Sequence, residues 1–267
     1  MTEPQRFFTR TGHYLWLAAV FGVICVFPYA LALAPGSIEN ASQQLGVPTS
    51  AVFAISIIQS ALILGLMTYA GLWAAGKLGL GAPLVDALSY KRELPYTFRQ
   101  SGVRAIALGV AAALLIAGLD LLVFNTVLDS LEIEAQVNIA VWKGFAASFY
   151  GGITEEIQLR LFLLSFVALG IRYIAGLVSG SRDAVGLSTG VFWAANLIAA
   201  VVFGLGHLPA TAELMPLTPL VLARAIVLNG VVGLVAGYLY WRRGIEMAML
   251  CHFSADIVLH VLIPLLS

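Results

Sequence analysis

Residues 142–171, WKGFAASFYGGITEEIQLRLFLLSFVALGI, are apolar enough to cross a membrane yet carry Glu155, Glu156 and Arg160 near their middle. A charged side chain at the centre of a bilayer costs about 2.5–3.5 kcal/mol on insertion scales. Two neighbouring carboxylates also repel each other. A chain that keeps such residues in an oily helix has a use for them. Polar side chains elsewhere at membrane depth are therefore their candidate partners.

The rest of the chain agrees with this setting. Its 267 residues are 60% hydrophobic and only 10% charged, with a mean hydropathy of +0.95. A soluble domain carries about 25% charged residues. The deficit places the protein in a lipid bilayer. The formal net charge is +0, so no nucleic-acid partner and no polybasic surface role are expected. Cys25 and Cys251 lie in apolar runs and give neither a disulfide framework nor a metal-binding spacing.

A spanning helix needs about 20 mostly apolar residues. Seven segments qualify: 14–34, 51–76, 103–127, 142–171, 189–208, 217–240 and 245–266. The first follows Arg6 and Arg10 and includes a cleavage-like Ala30-Leu31-Ala32. It exceeds the roughly 7–15 apolar residues of a signal peptide, so a retained helix is expected. Gly151-Gly152 predicts a kink or a division in the fourth. The expected fold is an all-α polytopic membrane protein, a bundle of about seven transmembrane helices. It reads as one integral-membrane domain over 1–267, with N-terminal helices to 140 and the polar core in 141–267.

Loop charges orient the bundle. Arg6, Arg10, Lys77, Lys91, Arg92, Arg99, Arg172, Arg182, Arg242 and Arg243 fall in alternate connections. The intervening loops hold Glu39, Asp129, Glu132, Glu134 and Glu213 without Lys or Arg; Lys143 is the one exception near them. The positive-inside rule then puts the N-terminus in the cytoplasm and the C-terminus outside. The compact loops suggest a prokaryotic inner membrane. Residues 81–100 are too polar to span. They read as an ordinary loop or as a short interfacial helix, presenting Leu84, Val85 and Leu88 and ending before Pro95.

Helical spacing sorts the polar residues. Glu156 and Arg160 share a face, whereas Glu155 points about 100° away. This reads either as an ion pair beside a free carboxylate or as a purely structural cluster. Phe203 and His207 are four residues apart just before Pro209, and His252, Asp256 and His260 form one stripe on the last helix. Asp120, Asn196 and Asn229 are expected to join helix to helix. Arg224 is expected to snorkel to the interface or pair with a carboxylate; His13 and His260 read as interfacial or locally bonded. At about 1.5 Å per residue, Glu155 and Asp256 fall near mid-bilayer and His207 nearer the outer side. A shared site requires tilt, or a fifth helix that ends deeper around Pro209.

Taken in order, Glu155-Glu156 with Arg160 (EExxxR), Phe203 with His207 (FxxxH) and His252 with Asp256 (HxxxN/D) resemble the motifs of the CPBP, or Abi, intramembrane proteases. That family includes type II CAAX prenyl endopeptidases and proteins linked to bacteriocin processing or immunity. The resemblance covers about residues 142–260. It implies an endopeptidase acting on a membrane-associated peptide or protein, of CAAX, leader or sorting-signal type. It implies a catalytic cavity between the fourth, fifth and seventh helices. Glu155 is then the base that activates water, His207 holds that water, and His252 with Asp256 stabilises the oxyanion. Glu156, Arg160 and Phe203 are supporting residues. No HExxH spacing is present, so a metal-free glutamate mechanism is expected; the alternative is zinc on Glu155, His207 and His252. Ionised Asp256 only accepts hydrogen bonds, where an asparagine can donate. Asp256 is therefore expected to be protonated, or to orient His252 by direct contact. Outside the protease class, a proton-relay transporter and a non-catalytic scaffold or immunity protein remain open.

Overall fold

The computed structural model describes residues 9–94, 97–130, 139–179 and 187–266. Arg6, Pro95, Glu132, Glu134 and Arg182, together with the side chain of Asp129, lie outside the described residues. The chain is helical, with no strand among the described residues. Seven helices are long and apolar enough to span: Arg10–Leu33, Thr49–Leu78, Phe98–Leu128, Val141–Val178, Thr189–Ala212, Pro219–Arg243 and Ile245–Leu266. The protein is an integral membrane protein. Only helices or closed barrels satisfy their backbone in lipid, and these segments carry the 3.6-residue solution.

The fourth span is continuous through Gly151 and Gly152 rather than divided. Its interior is instead wound wide, as π-helical turns over Tyr150–Glu155 and Ile157–Leu164. The last span has a similar turn over Val258–Leu262. Such turns are rare and concentrate at functional sites.

Two shorter helices flank the spans. Ser37–Leu45 is bounded by Gly36 and Gly46, both with positive φ. Pro83–Ser89 settles the reading of residues 81–100 in favour of a short helix. It is docked: the Val85 amide donates to Glu246 Oε1 at 2.8 Å, and the Thr11 hydroxyl donates to Asp86 at 3.2 Å.

Lipid tails are as apolar as leucine, so the spans associate through close packing and hydrogen bonds rather than hydrophobic burial. The outer surface is accordingly apolar, with Leu62, Leu66, Leu121 and Leu122 exposed. Inside, Leu15, Ala19, Leu64, Ile157, Leu161, Phe192 and Tyr240 join the first, second, fourth, fifth and sixth spans. Ala113, Phe203, Leu228, Val232 and Ala255 join the third, fifth, sixth and seventh. Two close approaches need glycine. A Cβ on Gly109 would collide with the Cys251 carbonyl, and one on Gly71 would lie 2.8 Å from the Leu161 carbonyl.

Polar ties cross the bundle. The Thr154 hydroxyl donates to the Ala19 carbonyl at 2.8 Å, and Asn196 Nδ2 to the Leu234 carbonyl at 3.0 Å. Ser165 and Tyr240 share a hydroxyl–hydroxyl bond of 2.9 Å. Arg224 grips Asp120 with two bonds, of 2.7 and 2.6 Å, and so pairs rather than snorkels. Asn229 differs from expectation: its amide donates to the Ala225 carbonyl, one turn back on its own helix, at 2.9 Å. His13 bonds Thr9 at the exposed end of the first span.

Candidate active site

The fifth span ends where the polar residues need it. Its regular helix stops at Gly206, His207 caps it, and Leu208–Ala212 starts a separate short helix with Pro209 in its first turn. His207 thereby lies at the junction of the two helices, with its ring directed towards Glu155 of the fourth span. Its Nδ1 lies 2.9 Å from the Phe203 carbonyl. A carbonyl only accepts, so Nδ1 carries a proton and Nε2 is left as the reactive nitrogen.

Three spans converge on Glu155. His207 Nε2 lies 4.0 Å from Glu155 Oε1, and His252 Nε2 lies 3.8 Å from Glu155 Oε2. Both separations exceed a direct hydrogen bond. Glu155 and His207 are only partly covered, with 17% and 32% side-chain exposure, whereas His252 is buried. Asp256 Oδ1 approaches the same nitrogen of His252, 3.6 Å from Nε2. The four-residue spacing thus brings the two into ion-pair contact, just beyond hydrogen-bond distance.

The residue that orients His252 is Glu156. Its Oε1 meets His252 Nδ1 at 2.7 Å, and both groups are buried. Ionised Glu156 only accepts, so this contact fixes a proton on Nδ1. Arg160 NH1 lies 2.9 Å from the same oxygen with side-chain exposures of 1% and 0%. That contact is ionic but not aligned as a hydrogen bond, and Arg160 NH1, Arg160 NH2 and Glu156 Oε2 have no hydrogen-bond partner among the described protein atoms. Glu156 thus joins two residues, Arg160 on its own helix and His252 on the last span. The spacing rule reaches only the first of these. Glu156 and His252 are 96 positions apart, and no local pattern signals their contact.

Phe203 packs among these groups. Its ring meets His207 and His252 edge-on, at centroid distances of 4.7 and 5.4 Å, and Arg160 sits 4.8 Å over its face. His260 lies closer to the cluster than its interfacial reading suggested. Its Nε2 is 4.0 Å from Asp256 Oδ1, and its ring meets Tyr29 of the first span edge-on. Gly151 makes room for Asp256: a Cβ there would overlap Asp256 Oδ2 and lie 3.3 Å from His252 Nε2.

The same residues test a metal. Glu155, His207 and His252 have suitable donor chemistry for zinc. Among the described residues, however, no three His, Cys, Asp or Glu side chains are grouped to hold a metal ion. His252 holds Nδ1–H on Glu156 and so presents Nε2 towards Glu155. The donors are of a suitable kind but are not grouped around one point among the described residues.

Residues 137–258 match the family model described as type II CAAX prenyl endopeptidase Rce1-like. This segment is an Rce1-like domain of the CPBP, or Abi, family. No curated protein and no solved structure matches the chain. The Rce1-like domain contains every residue of the three motifs and ends just after Asp256, leaving His260 outside it. The family is one of proteases, which supports intramembrane endopeptidase activity.

Proposed function

We propose that the protein is a glutamate-dependent intramembrane endopeptidase with Glu155 as its general base. The observation that carries this reading is the division of labour between the adjacent glutamates. Glu156 is buried and engaged by Arg160 and His252. Glu155 is partly open and faces the Nε2 atoms of two histidines from other spans. Glu155 takes a proton from a water held with His207 Nε2. The hydroxide attacks the peptide carbonyl carbon. His252, with Nδ1–H held by Glu156, donates from a protonated Nε2 to the developing oxyanion, an effect worth about 2.7–4 kcal/mol in comparable sites. The proton held by Glu155 passes to the leaving amine as the C–N bond breaks, and a carboxylate and an amine leave.

The substrate is a membrane-associated peptide or protein. The family-model match favours the C-terminal CAAX type over a bacteriocin leader or a sorting signal. The chain acts as one membrane domain without a metal. Arg10, Lys77, Arg172 and Arg242 fall at one end of the spans, which supports a cytoplasmic N-terminus and an outer C-terminus; the membrane proposed is a prokaryotic inner membrane.

The decisive experiment is hydrolysis of a labelled membrane peptide by Glu155→Gln in proteoliposomes. Loss of a positioned general base lowers the rate by about 10²–10⁴-fold. A correctly folded variant with wild-type activity refutes the proposal.

A further inference from the structure

Two cavities lie at the basic end of the bundle, away from the glutamates. One, of about 620 Å³, is bordered by Tyr69, Asp86, Tyr240 and Trp241. The other, of about 750 Å³, opens between the third and sixth spans and is lined by Ser101, Arg104, Leu108, Tyr238, Arg242 and Arg243. Arg242 and Arg243 border both.

The second cavity is unusual in its charge. Arg104, Arg242 and Arg243 are all exposed, and none is in an ion pair among the described residues. Arg242 is seated 3.8 Å over the Trp241 ring, which orients its guanidinium without neutralising it. Of the nearby acids, Asp86 is engaged, and Glu246 is engaged through one oxygen only, its buried Oε2 having no hydrogen-bond partner among the described residues. Asp86, on the first cavity, is paired with Arg92 at 3.0 Å, and Glu246 is buried against the Val85 amide. Positive-inside bias alone would scatter arginines along the helix ends. Here Arg104, at the start of the third span's apolar stretch, shares one opening with two arginines of another span. Guanidinium forks match phosphate oxygens two at a time. One turn deeper, Leu108 begins an exposed apolar face that Leu115 continues two turns further on, and Leu239 closes the wall.

We propose that this opening binds the phosphate ester of an anionic phospholipid, with an acyl chain lying along the third span. Serine and tyrosine hydroxyls from Ser101 and Tyr238 complete the headgroup shell. Basic pockets between membrane helices on the cytoplasmic side are suited to such headgroups.

The test uses the full chain in phosphatidylcholine bicelles titrated with phosphatidylglycerol, read by native mass spectrometry. One saturable site with at least about tenfold preference for phosphatidylglycerol is expected. Arg104→Gln, Arg242→Gln and Arg243→Gln combined should weaken it by at least about tenfold. The corresponding triple lysine variant should retain part of the binding, and Lys77→Gln, at the same end but outside the cavity, should retain all of it. If the triple glutamine variant does not fold, Arg104→Gln alone serves as the reading. Undiminished binding by the glutamine variant, or no preference over phosphatidylcholine, overturns the proposal. Competition by inorganic phosphate at the concentration of the lipid overturns the lipid assignment and leaves a soluble-anion site.

Discussion

Replacing Glu156 with glutamine tests whether the second glutamate is the support on which the site is built. The substitution keeps a side-chain oxygen that accepts from His252 Nδ1, 2.7 Å away in the native protein. It removes the charge facing Arg160, whose side chain is 1% exposed and 2.9 Å distant. Removing one partner of a buried pair costs about 3–5 kcal/mol, because the other charge is left uncompensated. The contact of Arg160 with Phe203 survives, but it cannot replace an anion. Glu156→Gln alone should therefore lose about 3–5 kcal/mol of stability. Combining it with Arg160→Met removes both charges and should recover at least about 2 kcal/mol of that loss. The assay is reversible unfolding in mixed micelles, run as a double-mutant cycle. A single-variant loss below about 1 kcal/mol, or losses that simply add, would refute the reasoning.

Other consequences follow from the same geometry. Gly151→Ala places a methyl against Asp256 and His252 and should lower peptide hydrolysis at least about tenfold; Gly118→Ala, where a Cβ meets nothing within 4 Å, should leave the rate unchanged. Asp256→Asn should alter both the rate and its pH profile, since a carboxyl 3.6 Å from His252 Nε2 is replaced by a group that does not titrate; an unchanged profile removes Asp256 from the reaction. Incubation with EDTA or phenanthroline should change the rate by less than about twofold if no metal is needed, and loss that zinc restores would reverse the metal-free reading. Asp120→Asn weakens the tie between the third and sixth spans and should cost about 0.6–1.7 kcal/mol in unfolding measurements without changing hydrolysis.

The spans were readable because bilayer thickness sets a length that apolar runs either meet or miss. Their ends were less so. The third helix begins at Phe98, five residues before its apolar stretch at 103, because Arg99 and Gln100 continue the helix into the interfacial region. Ser37–Leu45 carries no hydrophobic run and left no mark in the sequence beyond its bounding glycines. In the site, four-residue spacing found the Glu156–Arg160 pair and the His252–Asp256–His260 stripe. It did not find the second carboxylate on His252, that of Glu156, since a spacing rule ranks neighbours on one helix and is blind to a carboxylate from another. The wide turns also shift side chains away from ideal helical bearings. The 100° separation expected between Glu155 and Glu156 was thus a guide to their different partners rather than a measured angle.

The family-model match begins near the fourth span, yet the fourth span does not hold its position alone. The first span approaches it so closely that a Cβ on Gly22 would overlap the Thr154 hydroxyl. That hydroxyl, one residue before Glu155, is itself bonded to Ala19. The second span packs Gly71 against the Leu161 carbonyl, one residue beyond Arg160. The two N-terminal helices therefore grip the glutamate-bearing segment on both sides of its charged residues, where the backbone is wound wide and most in need of lateral support. Tyr29 extends this contact to His260 at the edge of the cluster. An N-terminal half outside the family-model match thus still positions Glu155, the proposed base, through small residues and one hydroxyl instead of a recognisable motif.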